Sequence, residues 1–273
     1  MSQAIIAGVI AVFMCLSLVL YLSRYRNVDN EEYSPMAAWN RAVLYFCLAY
    51  LMGWYFGVWD MVLANPIATA QQMETDSWWY WVVGLFAWIL FSYWGVWGRF
   101  TVRFDRKLDL FPQILFGVLW GTASGQVFLS WWHIAVMAGG GEWATWQIYA
   151  FVYVALTFWQ WFLMDMFWDI YISPEHDTLY SIGLKVAVTH VPNVTITLIF
   201  FALYENYVIF IALQTLALTG ACIMMRMPAP WSTEKHLIAR KIPSMFFGLP
   251  RCGGYVSEDP ENDPYLKAAH LPR

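Results

Sequence analysis

Long apolar runs separated by short polar breaks dominate the chain. Seven of them, 3–23, 40–63, 78–98, 112–137, 145–171, 182–204 and 207–225, are candidates to cross a bilayer. A helix needs about 20 apolar residues to span a hydrocarbon core of ~30 Å. Within lipid every backbone polar group must find its partner inside the protein, so helices are the expected form of runs this long. The alternating segments that a transmembrane barrel requires are missing from the pattern. The pattern therefore predicts an all-α, polytopic membrane bundle of seven transmembrane helices over 1–225, followed by a tail, 226–273, rich in Pro, Gly and charge. The first run is expected to be a retained span rather than a signal peptide. No basic residue precedes it, it is too long, and Arg24 and Arg26 come after it.

The basic residues orient the spans. Arg24, Arg26 and Arg41 follow the first run, Arg99, Arg103, Arg106 and Lys107 the third, Lys185 the fifth, and Arg226, Lys235, Arg240, Lys241 and Arg251 the seventh. The intervening breaks, "ANPIATAQQMETDS", "AGGGE" and the turn at Glu205–Asn206, hold no Lys or Arg. The positive-inside rule then puts the N-terminus outside and the C-terminus in the cytoplasm. The expected location is a multi-pass position in a bacterial cytoplasmic (inner) membrane.

Composition agrees with this picture. The 273 residues are 60% hydrophobic and 12% charged, against about a quarter charged in an ordinary soluble domain. A net charge of −4 and the lack of any basic reading motif argue against a nucleic-acid partner. The 18 Trp, 16 Tyr and 19 Phe exceed what a soluble core would use, and Trp and Tyr favour the headgroup level. Trp78, Trp79, Trp81, Trp131, Trp132, Trp143 and Trp146 are expected in the outer belt. Trp88 and Trp120 fall nearer mid-span, where they pack in the core or line an aromatic cavity for a flat or unsaturated lipid. Cys15, Cys47, Cys222 and Cys252 show no metal-ligand or disulfide spacing.

Gly117, Gly121 and Gly125 recur every four residues in the fourth run. Small residues so spaced let two helices approach closely. The plain reading is packing inside the bundle; the other is contact with further membrane subunits.

Chemistry concentrates in "DMFWDIYISPEHD", 165–177. Asp165 and Asp169 are one helical turn apart and share a face. Trp161 and Trp168 lie on or beside that face, and Glu175, His176 and Asp177 follow Pro174. The sixth run carries "THVPN" at 189–193, which brings His190 and Asn193 to the same level, because a short connection makes the fifth and sixth helices antiparallel neighbours. Carboxylates within a span are costly and face the bundle interior or a wet cavity, unless they pair with the basic residues at 99–107. Asp165, Asp169, His176, Asp177 and His190 form a potential ligand set for a divalent metal: Mg if carboxylates dominate, Zn, Fe or Mn with imidazole included. Without metal, an Asp–His pair serves general acid–base chemistry.

Two functions follow. One is an integral-membrane enzyme acting on a lipophilic substrate near the cytoplasmic headgroup level. Asp165, Asp169, His176 and His190 would be its catalytic groups, with Trp88, Trp120, Trp161, Trp168 and Asn193 around the substrate. The other is a non-catalytic lipid-, quinone- or pigment-binding subunit of a larger membrane complex. Transport ranks last, since few ionisable residues reach mid-membrane. Gln214 is expected to hydrogen-bond between helices, and His133 and Asp60 to be interfacial.

Overall fold

The computed structural model describes residues 32–33, 35–97, 108–158, 190–232, 236–237, 245–246 and 249–250. Six of the seven predicted runs fall wholly or partly within them, and each is helical there. The helices are α1 (Pro35–Tyr55), α2 (Val58–Ala64), α3 (Ala70–Met73), α4 (Asp76–Ile89), α5 (Leu110–Gly139), α6 (Thr145–Phe158), α7 (Val191–Tyr204) and α8 (Tyr207–Met225). A π-helical stretch, Leu90–Trp97, continues α4. Among the described residues the remaining regular structure is two-residue pairs: β1 (Glu32–Tyr33) with β2 (His236–Leu237), and β3 (Met245–Phe246) with β4 (Leu249–Pro250). The run 3–23 and the segment 159–189 lie outside the described residues.

Two helices, Leu110–Gly139 and Tyr207–Met224, are each long and apolar enough to cross a membrane. The bent pair Ala42–Tyr55 and Val58–Ala64 makes a third if it is one span. At 1.5 Å per residue, the 30 residues of α5 extend about 45 Å. No Asp, Glu, Lys or Arg occurs in α5, α6, α7 or α8. Large apolar side chains such as Leu51, Trp54, Leu63, Tyr80, Phe91 and Phe111 point outward. That is unfavourable in water and costless in lipid.

The seam between α5 and α8 is the most extensive in the bundle, and the glycine stripe creates it. A Cβ on Gly117 would fall on Thr219 Cα, one on Gly121 on Thr215 Cα, and one on Gly125 would stand 2.9 Å from Ile211 Cγ1. Each step of four along α5 thus meets a step of four back along α8, so the two helices are antiparallel and nearly backbone to backbone. This face is filled by the chain itself, and a second subunit reaching the same three glycines would have to displace α8.

The other contacts give a consistent set of directions. Trp39 and Phe46 of α1 pack on Phe116, Tyr50 donates to Leu119 O, and Gly53 lies against Gln126, so α1 runs parallel to α5. Trp78 of α4 packs on Phe200 and Tyr204, and Trp94 reaches Leu216 and Gly220, so α4 runs with α8 and against α7. Trp131 meets Phe151 just past the turn that ends α5, which sends α6 back along it. Direction along the bundle therefore alternates from each long segment to the next.

The pattern of the chain does not reveal two features. The run 40–63 breaks at Gly57, where φ is +72° and the axis turns by 71°. Only glycine takes that backbone conformation freely, and no proline announces it. The run 78–98 changes to π geometry where the Trp94 indole settles onto Gly220 and donates to Leu216 O at 3.0 Å. The expected outer belt also divides. Trp79 and Trp146 are exposed, whereas Trp78 and Trp132 are buried against Phe200 and Phe201 and belong to the core.

The bundle extends past α8. Arg226 takes a left-handed conformation, Met227 N–H returns to Cys222 O at 3.0 Å, and Met227 to Ala229 are buried. The Trp39 indole donates to Pro228 O at 2.8 Å in a buried bond. Trp39→Phe leaves that carbonyl without its donor and is expected to cost about 1–2 kcal/mol, measured as a lower melting midpoint with faster amide exchange at Met227. Parent-like stability and exchange would show that the bond is not a fastening.

Candidate functional site

The interior of the bundle carries a neutral polar cluster between α7 and α8. Asn193, Thr197 and Gln214 are 5%, 0% and 2% exposed. Asn193 and Thr197 are one turn apart on α7 and so share a face, and Gln214, midway along α8, looks onto it. The Thr197 hydroxyl donates to Asn193 O at 2.7 Å, which uses its single proton. Its oxygen is then available to accept, and Gln214 Nε2 donates to it at 3.4 Å. Gln214 Oε1 is thereby turned to Asn193, whose Nδ2 donates to it at 3.4 Å. Both amide contacts lie beyond the usual 2.7–3.2 Å, so the cluster is loose. At its end Asn193 Oδ1 is buried and has no donor among the described residues. Gln214 is the interhelical hydrogen bonder that its mid-span position suggests.

A groove of about 300 Å³ opens on the α4–α7 face. Tyr80, Trp81, Gly84, Leu85, Trp88 and Ile196 line it, and its walls are almost wholly apolar. Trp88 Nε1 is buried without a partner among the described residues. Asn193 is three positions before Ile196 on α7, in the direction in which the groove runs from Tyr80 toward Trp88.

The residues expected at the site separate in space. Trp88 lines the groove. Trp120 does not; it packs edge-to-face on Phe116, with ring centroids 6.0 Å apart, in the core. His190 is half-buried at the start of α7, and Asn193 belongs to the polar cluster. Asp165, Asp169, His176, Asp177, Trp161 and Trp168 lie outside the described residues. Among the described residues no three His, Cys, Asp or Glu side chains come together as a metal site. The chain matches no family model, no curated protein and no solved structure.

A second polar feature escapes reading from the sequence. His133, on α5, approaches Phe56 O with Nδ1 at 2.6 Å and the Tyr207 hydroxyl with Nε2 at 2.8 Å. The carbonyl can only accept, so Nδ1 carries a proton; in the neutral ring Nε2 accepts from Tyr207. Phe56 O lies at the break before Gly57, where the helix can no longer satisfy it. His133 therefore seals the bend and ties it to the first residue of α8. Asn206 caps the same end: its Oδ1 accepts from Ile209 N–H at 2.8 Å and its Nδ2 donates to Ile67 O at 3.0 Å. Nothing in the sequence joins His133 to Phe56, because the partner is a backbone carbonyl exposed by a bend. Gln126, fully buried on Gly53 with both amide atoms unpaired among the described residues, was equally silent.

Proposed function

We propose that the chain is a multi-pass integral membrane protein, N-terminus outside and C-terminus cytoplasmic, that takes a lipophilic molecule from the bilayer into the α4–α7 groove. The observation that carries this reading is the pairing of an open, aromatic, nearly all-apolar groove with an incompletely satisfied polar cluster one turn further along α7. Binding pockets of this kind combine apolar walls with a few polar groups that fix orientation. The alternating directions of the helices and the charge-free length of α5, α6, α7 and α8 support a polytopic arrangement.

In the enzymatic form of this reading, Asp165, Asp169, His176 and His190 act on the bound molecule at the cytoplasmic headgroup level. Asp165, Asp169, His176, Asp177 and His190 then supply donors for a divalent metal. In the subunit form the molecule is held and not transformed, as lipid, quinone or pigment. The neutral amides and hydroxyl of the described cluster favour the subunit form, since they orient a ligand without moving protons.

The test uses Gly84. No atom lies within 4 Å of where its Cβ would stand, although it lines the groove. Gly84→Phe fills the groove from a helix position that tolerates side chains, and phenylalanine has the better helix propensity. The purified parent should carry one lipophilic class above the bulk lipid composition by extraction and mass spectrometry, and the variant about tenfold less, a 1.4 kcal/mol effect. A parent whose extract mirrors the bulk membrane would overturn the reading. Elemental analysis of the parent beside Asp165→Asn/His190→Ala separates the two forms, because a stoichiometric metal lost in the double variant supports the enzyme.

A further inference from the structure

We propose that the α4–α7 groove seats one acyl chain of a bilayer phospholipid whose head ends in an ammonium group, the head lying among Glu74, Asp76 and Glu205. The inference rests on the reading of the groove as a site for a lipophilic molecule, and it names the class of that molecule.

The shape of the groove selects a chain. Tyr80, Gly84 and Trp88 follow at steps of four along α4, with Trp81 and Leu85 beside them, so the lining is a strip along the helix and not a hollow across it. From Tyr80 to Trp88 the strip is about 12 Å long at 1.5 Å per residue. A volume of about 300 Å³ over that length leaves a mean section of about 25 Å², which one extended hydrocarbon chain fills and two do not. Gly84 keeps the middle of the strip open, with no atom within 4 Å of where a Cβ would stand. A chain lying there runs parallel to the helix, as the tails of a bilayer run beside a spanning helix.

The charge at one end selects the head. Asp76 stands one turn before Tyr80 on the same strip, and Glu74 lies just ahead of it at the end of α3. The Tyr204 hydroxyl donates to Ser77 Oγ at 3.1 Å and Gln72 Nε2 donates to Tyr204 O at 3.2 Å, which brings Glu205 to the same corner. Glu74, Asp76 and Glu205 are exposed, and none of their side chains makes a hydrogen bond or ion pair among the described residues. The only Lys or Arg among the described residues, Arg41 and Arg226, belong to the far end of the bundle. Arg226 closes the 19 residues of α8, about 28 Å from their start beside Asn206, and Trp39, two residues before Arg41, bonds to Pro228. The N-terminus of α4 would by itself favour an anion, but Asp76 in its first turn already answers it. A phosphoglycerol or carboxylate head would meet like charges at this corner, whereas an ammonium meets opposite ones. Tyr80 and Trp81, at the same end of the lining, add aromatic faces that also attract an ammonium. Exposed pairs are weak, so the expected preference is about fivefold, the upper end for one such pair.

The probe pair is phosphatidylethanolamine and phosphatidylglycerol with the same acyl chains. The full-length protein is reconstituted in vesicles of equal parts of the two, re-extracted in mild detergent, and its retained lipid counted by mass spectrometry. Lipid that the parent keeps and Gly84→Phe loses is the groove's, and it should be about fivefold richer in phosphatidylethanolamine. Glu74→Gln/Asp76→Asn/Glu205→Gln should return that lipid to the composition of the vesicle while retaining more of it than Gly84→Phe does. Raising salt from about 0.1 M to about 1 M shortens the screening length from ~10 Å to ~3 Å and should level the parent's preference too, a check that needs no charge variant. Equal retention of the two lipids in the parent's groove, or an excess of phosphatidylglycerol, overturns the ammonium head and leaves lipophile binding standing. A preference that persists at high salt or in the triple variant overturns it as well. A parent that keeps no more lipid than Gly84→Phe sinks the lipophile reading and this inference with it.

Discussion

Gly121→Val is expected to lower the stability of the bundle by about 3 kcal/mol, at the upper end of what overpacking usually costs. The new side chain would meet Thr215 Cα, Gln214 O and Thr215 N, all of them backbone. No rotamer change relieves that, so α5 and α8 must separate along their main seam. In a membrane such close approach supplies much of the association energy, because lipid tails solvate apolar side chains as well as a neighbouring helix does. Separation also moves Gln214 away from Thr197 and Asn193, whose contacts are already 3.4 Å long, so loss of the polar cluster accompanies the loss of packing. Gly125→Ala should be milder, since the atom it meets is Ile211 Cγ1, the movable part of a side chain. Gly84→Ala should be neutral or slightly stabilising. Thermal unfolding in one detergent ranks the three; a Gly121→Val variant that melts with the parent would show that the seam is not tight.

His133→Ala is expected to cost about 2–4 kcal/mol, because it strands both the Phe56 carbonyl and the Tyr207 hydroxyl, and each unmet group costs about 1–3 kcal/mol. Tyr207→Phe removes one bond and leaves the ring its contact with Phe56 O, so about 1 kcal/mol is expected. The two changes act on one chain of bonds, and the double variant should cost less than the sum of the singles. Amide exchange across 54–61 should accelerate in His133→Ala and stay near the parent rate in Tyr207→Phe, because the histidine alone holds the bend. Equal effects of the two single variants on stability and exchange would remove His133 from that role.

Much of the fold was legible because runs this long and apolar leave the backbone few ways to satisfy its polar groups other than a helix. The run 207–225 matches α8 residue for residue, and 112–137 lies within Leu110–Gly139. The glycine spacing announced a close helix contact, and the seam with α8 meets that expectation inside the chain. What escaped was non-local or carried by single residues. Gly57 breaks a span that its neighbours would continue, and one glycine in an apolar run is a weak signal. Trp78 and Trp132 occupy the depth of an interfacial belt but turn inward, and depth cannot tell those directions apart. Of the candidate site, the sequence marked Asn193 by its place beside Pro192 and Trp88 by its depth. It could not give the polarity of the Asn193–Gln214–Thr197 bonds, because that depends on which atom of each amide meets Thr197.

The joining of the chain's two sides also sets a timetable for its making. Trp39 finds its acceptor at Pro228, 189 residues later, and the glycine face of α5 finds its cover in α8. At about 5–20 residues per second, translation takes roughly 10–40 s to reach Pro228 from Trp39. For that interval the Trp39 indole is without its acceptor, and the glycine stripe, made later, waits roughly 5–20 s from Gly117 to its cover at Thr219. The seam between α5 and α8 therefore closes only once α8 has been made, and until then the stripe must be shielded by something other than its final partner.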